Sequence, residues 1–550
     1  MYQYQDHDKA LVCARVAEFR DQTRRFISGE LDEESYRPLR LLNGLYIQRH
    51  APMLRVGIPY GTLSSRQLSQ LARVAEKYDR GYGHFTTRQN IQFNWLKLEE
   101  VPDVLEMLAQ VDLNSIQTSG NCVRNITTDH LAGVASDEIE DPRPYCEIIR
   151  QWASLHPEFS YLPRKFKFAV TASAHDRAAS QVHDIGLHLI HNDHGEVGFE
   201  VLVGGGLGRT PIIGQLLRDF LPQKDLLNYL DAILRVYNLH GRRDNIYKAR
   251  IKILVKSMGI DAFRQQVETM WQQMSRADLC LTDKRIAAMK QCFSPPPPLV
   301  DDVEFVDLAD GDDGFSLWWR QNTLPHKERG YRAVFLSLKQ QGMVPGDMTA
   351  AQMLAVAELA DLYTGGEIRT THRQNLLFPH VPATEISALW RRLNALGLAS
   401  VNITSINDMI CCPGLDYCGL ANAESISVGL GIQERFSRIE KLHELGPIDL
   451  NISGCMNACA HHHVGHIGIL GVDKKGEQYY QIQLGGNSTG TETTLGDVLG
   501  PSLPQKDVPD VIENLVQVYL DQRLSGERFI EAYRRLGLQP FKDAIYAVAD

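Results

Sequence analysis

The sequence predicts a duplicated protein in which each half packs a helix against a β-sheet. When the 550-residue chain is shifted by 285 positions, residues 61–93 align without gaps with residues 346–378, and 11 of the 33 positions are identical. Unrelated segments of this length would share about two. The identities include Arg88-Gln89-Asn90 and Arg373-Gln374-Asn375. A period this long indicates duplication of a domain rather than a solenoid of short repeats.

The two copies share one order of predicted elements. In the first copy a run of apolar residues recurs at helical spacing: Leu68, Leu71, Ala72, Ala75 and Tyr78. Gly81 follows, and a strand-like run then continues through Phe93. The stiff, non-helical motif Ser294-Pro-Pro-Pro-Pro298 lies between the copies and marks the boundary between the halves.

Composition narrows the class of protein. The chain is 43% apolar and 23% charged, as in globular proteins, and its length predicts two or three domains. The N-terminal residues form no apolar targeting segment, and no run approaches 18 apolar residues, so we expect a cytoplasmic protein without a membrane partner. The net charge of -10 argues against nucleic acid. A local cationic pocket for a small anion remains compatible with it, because distant charges are screened over about 8 Å.

Four cysteines near the C-terminus are the strongest chemical signal. They form the pairs Cys412-x5-Cys418 and Cys455-x3-Cys459, with 36 residues between the pairs. Four thiolates are the usual ligands of a [4Fe-4S] cluster. Structural zinc is the open alternative, since histidines lie beside the second pair, although zinc motifs favour C-x2-4-C on both sides. These histidines, which we expect to be mostly hydrogen-bonded structural residues, are His461, His462, His463 and His466.

The remaining cysteines are too few for a disulfide scaffold, and we expect them to be ordinary buried thiols in a reducing compartment. They are Cys13, Cys122, Cys146, Cys280, Cys292 and Cys411.

The sequence around the four cysteines resembles that of a known family. It reads Cys412-Pro-Gly-Leu-Asp-Tyr-Cys418 and Asn451-Ile-Ser-Gly-Cys455-Met-Asn-Ala-Cys459. These motifs resemble the siroheme-dependent sulfite and nitrite reductases. The resemblance implies that the four cysteines bind a [4Fe-4S] cluster and that the sulfur of Cys459 also bridges to the siroheme iron.

The resemblance extends over nearly the whole chain and implies an α+β fold with pseudo-two-fold duplicated halves and both cofactors at their junction. It divides the chain into ferredoxin-like half repeats at residues 1–135 and 299–405, a siroheme- and anion-binding domain at 136–294, and a cluster- and siroheme-binding domain at 406–550.

Four cations match the family's positions for holding the substrate anion: Arg55, Arg124, Lys165 and Lys167. For any one of them a solvated surface cation is the ordinary alternative. Alternation in Lys165-Phe166-Lys167 would, however, place both amines on one face of a strand. Since arginine clamps anions bidentately and a desolvated lysine can donate a proton, we assign the arginines to binding and the lysines to binding and proton delivery.

The resemblance also implies contacts to the siroheme carboxylates. The candidates are Thr87, Arg88, Gln89, Gln92, Asn94, Arg164, Arg243, Lys248, Arg250 and Lys252, together with Gly485, Gly486 and Asn487, which look like the counterpart of the Gly204 to Gly208 run. Asn94 stands where family members often carry histidine. The repeated Arg373-Gln374-Asn375 leaves open which copy binds siroheme. Some family members join a pair resembling Tyr46 and Cys122, but we favour two unlinked pocket residues.

The resemblance implies six-electron reduction of sulfite to sulfide in assimilatory sulfur metabolism and cysteine biosynthesis. Nitrite reduction to ammonium is the alternative, and we favour sulfite because the two lysines in series resemble the sulfite branch. A zinc-stapled binding protein is a third, remote interpretation. Because the chain has no convincing dinucleotide fingerprint and no length for a flavin domain, we expect a separate electron donor, either ferredoxin or a flavoprotein that oxidises NADPH.

Overall fold

The computed structural model describes residues 2–275, 277–297, 299, 313–437 and 444–546. The boundary motif at 294–298 therefore lies partly outside the described residues. No helix in this part of the chain is both long and apolar enough to cross a membrane. The described α-helices are α1 (Asp6–Ile27), α2 (Glu33–Leu42), α3 (Ser65–Tyr78), α4 (Val101–Ala109), α5 (Arg143–Ala153), α6 (Leu226–His240), α7 (Ile251–Met258), α8 (Ile260–Gln273), α9 (Asp283–Gln291), α10 (Asp313–Asn322), α11 (Ala350–Tyr363), α12 (Ile386–Ala395), α13 (Ile426–Arg435), α14 (Val508–Gln522), α15 (Phe529–Leu536) and α16 (Gln539–Tyr546).

The strands assemble into four sheets. They are β1 (Leu45–Ile47), β2 (Pro52–Gly57), β3 (Thr62–Ser64), β4 (Tyr82–Phe85), β5 (Asn90–Phe93), β6 (Thr127–Thr128), β7 (Phe168–Thr171), β8 (Ile185–His191), β9 (Val197–Val203), β10 (Gln215–Pro222), β11 (Thr323–Pro325), β12 (Tyr331–Leu336), β13 (Asp347–Thr349), β14 (Glu367–Thr370), β15 (Leu376–Pro382), β16 (Ile410–Cys411), β17 (Leu450–Ser453), β18 (Ile467–Lys474), β19 (Glu477–Leu484), β20 (Asp497–Val498) and β21 (Leu503–Pro504).

The two repeat copies form sheets that exchange an edge strand. One sheet has the order β1-β2-β5-β4-β13 and the other β11-β12-β15-β14-β3. Strand β13 of the second copy thus completes the first sheet, where Met348 lies opposite Gly83, and β3 of the first copy completes the second, where Leu63 lies opposite Ile368. The strand-like run predicted through Phe93 is two strands joined by a turn. Neither sheet is complete without the other half of the chain.

Helices α3 and α11 are the predicted repeat helices, and both begin with a capping box. Ser64 and Gln67 cap α3, and Thr349 and Gln352 cap α11, each pair satisfying two backbone N–H groups at the helix start. The apolar faces of both helices are buried in one core shared by the two sheets. The helix predicted in each copy is therefore present, and it packs against its counterpart.

The other two sheets share one topology, β10-β9-β8-β7-β6 and β20-β19-β18-β17-β16, with β21 pairing β19. In each, three strands run parallel and the next two pair antiparallel. Each sheet has its own apolar core, to which α6 and α14 contribute. The predicted α+β fold with duplicated halves is confirmed, whereas the predicted domain boundaries stay a prediction.

The repeated Arg-Gln-Asn motif joins the halves. The Gln89 amide donates to the carbonyls of Thr128 (3.0 Å) and Thr370 (3.1 Å), and its oxygen accepts from the Thr128 N–H (3.1 Å). Gln374 makes the equivalent bonds in the second copy, including two to the backbone of Cys411 (2.9 and 3.0 Å). Both glutamines have positive φ, 51° and 59°, a conformation that these bonds compensate. This motif therefore positions the segment that carries the first ligand cysteine.

Candidate cofactor and anion site

The four cysteines lie at one edge of the second-half sheet. Cys412 follows β16 and Cys455 follows β17, which is its parallel neighbour, so both loops leave the sheet at the same end. The Gly454 N–H donates to the sulfur of Cys412 (3.2 Å). Burial raises the pKa of the Cys412 thiol to about 12, and the neighbouring Cys459 adds to this effect. Burial and Cys459 likewise raise the pKa of Cys418 and Cys455, so the four sulfurs form one electrostatic group.

This sulfur group suits a polynuclear centre. A zinc ion holds thiolates at about 2.3 Å and so draws them within roughly 4 Å of one another. Among the described residues, no three Cys, His, Asp or Glu side chains are close enough together to hold a single metal ion. A four-iron cube binds one thiolate at each corner and separates its ligands further. The four cysteines supply the usual ligand set of a [4Fe-4S] cluster.

The loop that carries Cys459 is held from the first half. The Thr87 hydroxyl donates to the Cys459 carbonyl (2.7 Å), and Thr87 lies in the turn between β4 and β5. Cys459 is exposed, so its sulfur is accessible to a second group beside the cluster. Thr87, predicted to contact siroheme, thus positions the predicted bridging ligand.

The two predicted binding arginines are held in fixed orientations. Arg55 donates two hydrogen bonds to the Gln92 side-chain oxygen (2.7 and 2.9 Å). Arg124 donates to the carbonyls of Thr118 (2.9 Å) and Gly120 (2.7 and 3.1 Å). Neither has a carboxylate partner among the described residues, so both keep their charge for a ligand. Gln92, predicted to contact siroheme, instead orients Arg55.

Lys165 and Lys167 flank the buried ring of Phe166, which pairs with Val123 through an isolated bridge just before β7. Neither amine has an ion pair within the described part of the chain. Burial lowers the pKa of Lys165 to about 7, and repulsion from nearby Arg250 and other cations contributes. Burial, Arg88 and Lys165 hold the pKa of Lys167 well below its usual range. Such crowding of cations defines a site for an anion.

A carboxylate that sequence reasoning missed anchors this pocket. Asp184 is fully buried and accepts three hydrogen bonds from Arg250 (2.7, 2.9 and 3.0 Å) and one from the Lys167 N–H (2.8 Å). Arg250 is thereby paired, while the side chain of Lys167 is not. Nothing in the sequence marked Asp184, because its role depends on a chain segment 66 residues away.

Lys167 has a structural counterpart in the second half of the chain. Lys167 directly precedes β7, and Asp449 directly precedes the equivalent strand β17. The Lys167 N–H is bound by Asp184, the residue before β8, and the Asp449 N–H is bound by His466, the residue before β18 (3.1 Å). Lys167 and Asp449 therefore hold equivalent positions and carry opposite charges.

This reversal distinguishes the two Arg-Gln-Asn copies. Arg373 pairs with both Asp449 and Asp408 (2.9 Å to the latter), so its charge is neutralised inside the protein. Arg88 faces Lys167, and its partners among the described residues are the Thr127 hydroxyl (2.7 Å) and backbone carbonyls. The first half thus retains unpaired positive charge where the second half has an ion pair.

Two further predicted cofactor contacts lie at the pocket beside Arg250. Burial lowers the pKa of Arg88 to about 9, with repulsion from Arg124 and Arg250 and an opposing effect of Asp184. Burial and these same two arginines also lower the pKa of Arg164. The pocket therefore suits a group that carries several carboxylates.

Asn94 supplies an independent test of that fit. Its side chain is buried, and neither the nitrogen nor the oxygen of its amide has a hydrogen-bond partner in the part of the chain that the structure describes. By strand alternation it lies on the same side as Gln92. Because buried polar groups are nearly always bonded, this amide calls for a partner from a bound molecule. Together with the unpaired cations, it shows that the residues present fit siroheme.

Other predicted contacts are used within the protein. Lys252 donates to the carbonyls of Gly206, Leu207 and Thr210, which uses all three of its N–H groups. Gln89 joins the halves, as described above. The second glycine run is packed against other parts of the protein. A side chain at Gly485 would clash with the Tyr533 ring, and one at Gly486 would clash with the carbonyls of His463 and Gly465. The Asn487 amide donates hydrogen bonds to the carbonyls of Thr489 and Glu492. Whether these five residues also contact siroheme stays a prediction.

Arg243 and Lys248 are exposed on the segment between α6 and α7. Arg243 donates to the Tyr161 carbonyl (3.0 Å) and the Asn238 side chain (2.5 Å). Their contact with siroheme stays a prediction.

The histidines after the cysteines differ from one another. His463 contacts the Gln483 side chain (3.1 Å) and the Gly208 carbonyl (3.0 Å), and it thereby links the two halves. His462 is the exception to the expectation that most of these histidines are hydrogen-bonded: its fully buried ring packs against that of His463, and neither ring nitrogen has a partner among the described residues. His461 lies 6.2 Å, ring to ring, from His183, another pocket residue that the sequence did not reveal.

Tyr46 and Cys122 meet at one residue. The Cys122 thiol donates to the Ser119 carbonyl (3.1 Å), and the Tyr46 hydroxyl bonds to Ser119 and Arg124. Burial raises the pKa of Tyr46, but Arg124 and Arg55 outweigh it and leave the pKa lowered. That the two residues are unlinked stays a prediction.

A four-thiolate cluster site beside a pocket for a polycarboxylate cofactor defines a class of redox protein with two joined centres. Comparison with known proteins identifies the family. The model of the nitrite and sulphite reductase 4Fe-4S domain matches residues 119–274 and 408–549, and that of the nitrite/sulfite reductase ferredoxin-like half domain matches residues 46–111 and 326–396. The chain belongs to this siroheme- and [4Fe-4S]-dependent reductase family.

Individual relatives cover most of the chain. It is 28% identical over 493 residues to a protein named sulfite reductase [ferredoxin] 2 of Mycolicibacterium paratuberculosis, covering 87% of this chain and 81% of that one. It is also 28% identical over 477 residues to the ferredoxin–nitrite reductase of Synechococcus elongatus, covering 84% and 85%. The solved structure of the Mycobacterium tuberculosis NirA protein matches with a TM-score of 0.78 at 25% identity, covering 95% of this chain and 94% of that one.

Proposed function

We propose that this protein reduces sulfite to sulfide in sulfur assimilation, using siroheme coupled to a [4Fe-4S] cluster. The observation that carries the proposal is the unpaired positive charge at Arg88 and Lys167, where the equivalent second-half positions form the Arg373–Asp449 ion pair. A polycarboxylate cofactor and an anionic substrate both require such charge. Relatives named sulfite reductase support the choice of sulfite.

The reaction sets what the residues must supply. Bisulfite, six electrons and six protons give hydrosulfide and three waters, so each lost oxygen consumes protons. When bound, siroheme and its linked cluster supply the electrons at the sulfur atom. Arg55 and Arg124, held by Gln92 and by backbone carbonyls, bind the substrate oxygens through charge-assisted hydrogen bonds.

Lys165 and Lys167 complete the oxygen-facing side of the site. An amine whose pKa lies near 7 is poised to give up a proton at neutral pH, and a bound anion raises that pKa and recharges the amine. We assign both lysines to proton delivery to the departing oxygens.

Arg88, Arg164, Arg250 and Asn94 are the residues that would hold siroheme, and Cys459 would be a ligand shared by siroheme and the cluster. Both cofactors would then lie at the junction of the halves. The proposed donor is a ferredoxin, after the names of the relatives, with an NADPH-oxidising flavoprotein as the alternative. A cytoplasmic location is proposed, because thiolate-ligated clusters persist in a reducing compartment.

The decisive experiment compares the two anions. The anaerobic, cofactor-loaded protein is supplied with reduced methyl viologen and either sulfite or nitrite, and sulfide and ammonium are measured. We expect a higher kcat/KM for sulfite. A strong preference for nitrite would overturn the assignment. Nitrite reduction is the competing function because the chain is also 28% identical to the Synechococcus ferredoxin–nitrite reductase.

A further inference from the structure

A cavity of about 390 Å³ lies beneath the N-terminal segment, between α1 and the C-terminal end of α5. Small-molecule sites in proteins have volumes of about 300–1,000 Å³, so a small ligand fits this space. The lining includes Arg124 but not Arg55, Lys165 or Lys167, so the cavity adjoins the candidate anion site and is distinct from it. We call it the Trp152 cavity and define it by Tyr4, Asp8, Gln117, Arg150, Trp152 and Arg285.

The N-terminal segment forms one wall of the Trp152 cavity. The Arg150 guanidinium lies 5.3 Å from the ring centroid of Tyr4 and 5.9 Å from that of Tyr2. Arg150 also donates two hydrogen bonds to the buried Glu147 carboxylate (2.6 and 2.7 Å), and the Tyr4 N–H donates to Asp112 (3.4 Å). These contacts hold the wall in place, so the cavity is preformed, as small-molecule sites usually are.

The side-chain acceptors in the lining already have donors. Asp8, the carboxylate of the lining, accepts from the Tyr2 hydroxyl (2.6 Å) and from the Gln5 N–H (3.0 Å). The side-chain oxygen of Gln117 accepts from the Ser154 hydroxyl (2.8 Å). A ligand that brings hydrogen-bond donors would therefore compete with bonds inside the protein.

Several donors in the lining, by contrast, have no acceptor. Trp152 is 9% exposed, and its buried indole N–H has no partner among the described residues. The Tyr4 hydroxyl accepts from the Asn114 amide (2.6 Å), while its own hydrogen has no acceptor in the described part of the chain. Burial raises the pKa of Tyr4 to about 12, so this hydrogen is retained at neutral pH. Because buried donors are nearly always bonded, both groups call for a ligand with oxygen acceptors.

Arg285 adds positive charge on the same side as Trp152. Helix α9 runs antiparallel to α5, since the Lys290 amine, near the end of α9, lies 5.7 Å from the ring centroid of Tyr145, near the start of α5. Arg285, near the start of α9, therefore lies toward the end of α5 that carries Trp152. It is exposed, lines the cavity and has no ion pair with a described carboxylate. An unpaired guanidinium at the mouth of a cavity favours an oxyanion.

The rest of the lining is largely apolar. Side chains of α1, α6 and the segment before α9 contribute Leu11, Val12, Leu227 and Leu279. A free inorganic anion would leave these surfaces without a partner, whereas the organic part of a larger anion would cover them. The lining thus combines a donor-rich end with an apolar surface.

We propose that the Trp152 cavity is a second ligand site, which binds a small organic anion with its oxyanion group at the Trp152 N–H and Arg285 and its apolar body against the leucines. The inference does not rest on the proposed reaction, because Tyr4, Trp152 and Arg285 take no part in it.

The first test compares two probes of the same shape, the anion p-toluenesulfonate and its neutral analogue p-toluenesulfonamide. Binding to the cofactor-loaded, oxidised protein is measured by calorimetry in excess sulfite, which occupies the candidate anion site. We expect one p-toluenesulfonate per chain and binding of the amide that is weaker by roughly tenfold, the effect of losing one charge-assisted hydrogen bond. Equal affinities, or no binding of p-toluenesulfonate at millimolar concentration, would overturn the proposal.

The second test locates the site with two variants. Arg285→Gln removes the exposed charge and should weaken p-toluenesulfonate binding while leaving the amide unaffected. Trp152→Phe removes the indole N–H but keeps a ring, and it should weaken both probes, since both carry sulfonyl oxygens. The control Arg391→Gln changes an exposed cation of α12 outside the cavity and should bind both probes like wild type. Should Trp152→Phe fail to fold, Arg285→Gln alone decides: p-toluenesulfonate binding equal to that of Arg391→Gln would overturn the site.

This inference and the proposed function fail separately. Protein that binds p-toluenesulfonate through Arg285 but forms no sulfide would refute the reaction and leave the Trp152 cavity intact. Normal sulfide formation together with unaltered probe binding in Arg285→Gln would refute the cavity site alone.

Discussion

Replacing Lys165 by methionine should stabilise the protein that is produced without siroheme, while it impairs the loaded enzyme. In the folded chain the pKa of Lys165 falls from 10.5 to about 7, chiefly through burial and then through repulsion by Arg250 and Arg124. Charging this amine inside the protein is therefore unfavourable until an anion binds beside it. A site built for a ligand destabilises the empty fold in this way.

The magnitude follows from linkage. Each pKa unit corresponds to about 1.4 kcal/mol, so at pH 7 Lys165 costs the siroheme-free protein about 4 kcal/mol. The unfolded chain binds the proton more tightly than the folded chain between pH 7 and 10.5, so the cost falls as pH rises through that window and vanishes above it. At pH 9.5 most of this cost is gone.

The assay is the urea unfolding midpoint of siroheme-free wild type, Lys165→Met and the control Lys256→Met, whose lysine is exposed on α7. We expect Lys165→Met to be the most stable at pH 7, with its advantage shrinking by pH 9.5. The loaded variant should lose roughly 10²-fold in viologen-driven sulfite turnover, the size expected for a missing proton donor. A Lys165→Met protein less stable than wild type at pH 7 would show that the pocket carries no uncompensated charge.

Two more substitutions test the roles assigned across the junction. Arg373→Met should lower the unfolding free energy by about 3–5 kcal/mol, because it leaves the buried Asp449 carboxylate without its cation, although Asp408 keeps its ion pair with Lys339. Arg88→Met should cost far less stability but reduce the siroheme absorbance per protein, and the opposite pattern would mean that the second copy binds siroheme. Thr87→Val removes the hydrogen bond to the Cys459 carbonyl, which is worth about 1 kcal/mol. We expect this variant to bind as much siroheme as wild type but to have a shifted visible spectrum and slower turnover. Thr87→Ser keeps the hydroxyl and should behave like wild type. A Thr87→Val spectrum identical to wild type would remove the positioning role.

The duplication and the residue types of the candidate site could be predicted from the sequence, because both depend on local sequence patterns. The duplication, the helix of each copy and the four cysteines followed from spacing and residue type. Arg55, Arg124, Lys165 and Lys167 followed from motif resemblance, and the structure leaves all four without carboxylate partners among the described residues. The repeat helices α3 and α11 needed only an apolar stripe and a capping box, which are encoded within a few residues.

Pairings between distant segments could not be read in this way. The exchange of β3 and β13 between sheets has no sequence signal, since an edge strand pairs through backbone groups that every residue carries. The same holds for Gln89 and Lys252, whose polar side chains look available for a ligand in the sequence but are used by backbone carbonyls in the fold.

The sequence by itself determined which chemistry the protein carries: two halves, four thiolates and a set of cations. Only the tertiary structure decided which cations remain for a ligand. Arg88 and Arg373 are identical in motif, yet one faces Lys167 and the other Asp449. The physical reason is that the charge of a residue is encoded locally, whereas its neutralisation depends on which residue of the opposite sign the fold brings within a few ångströms.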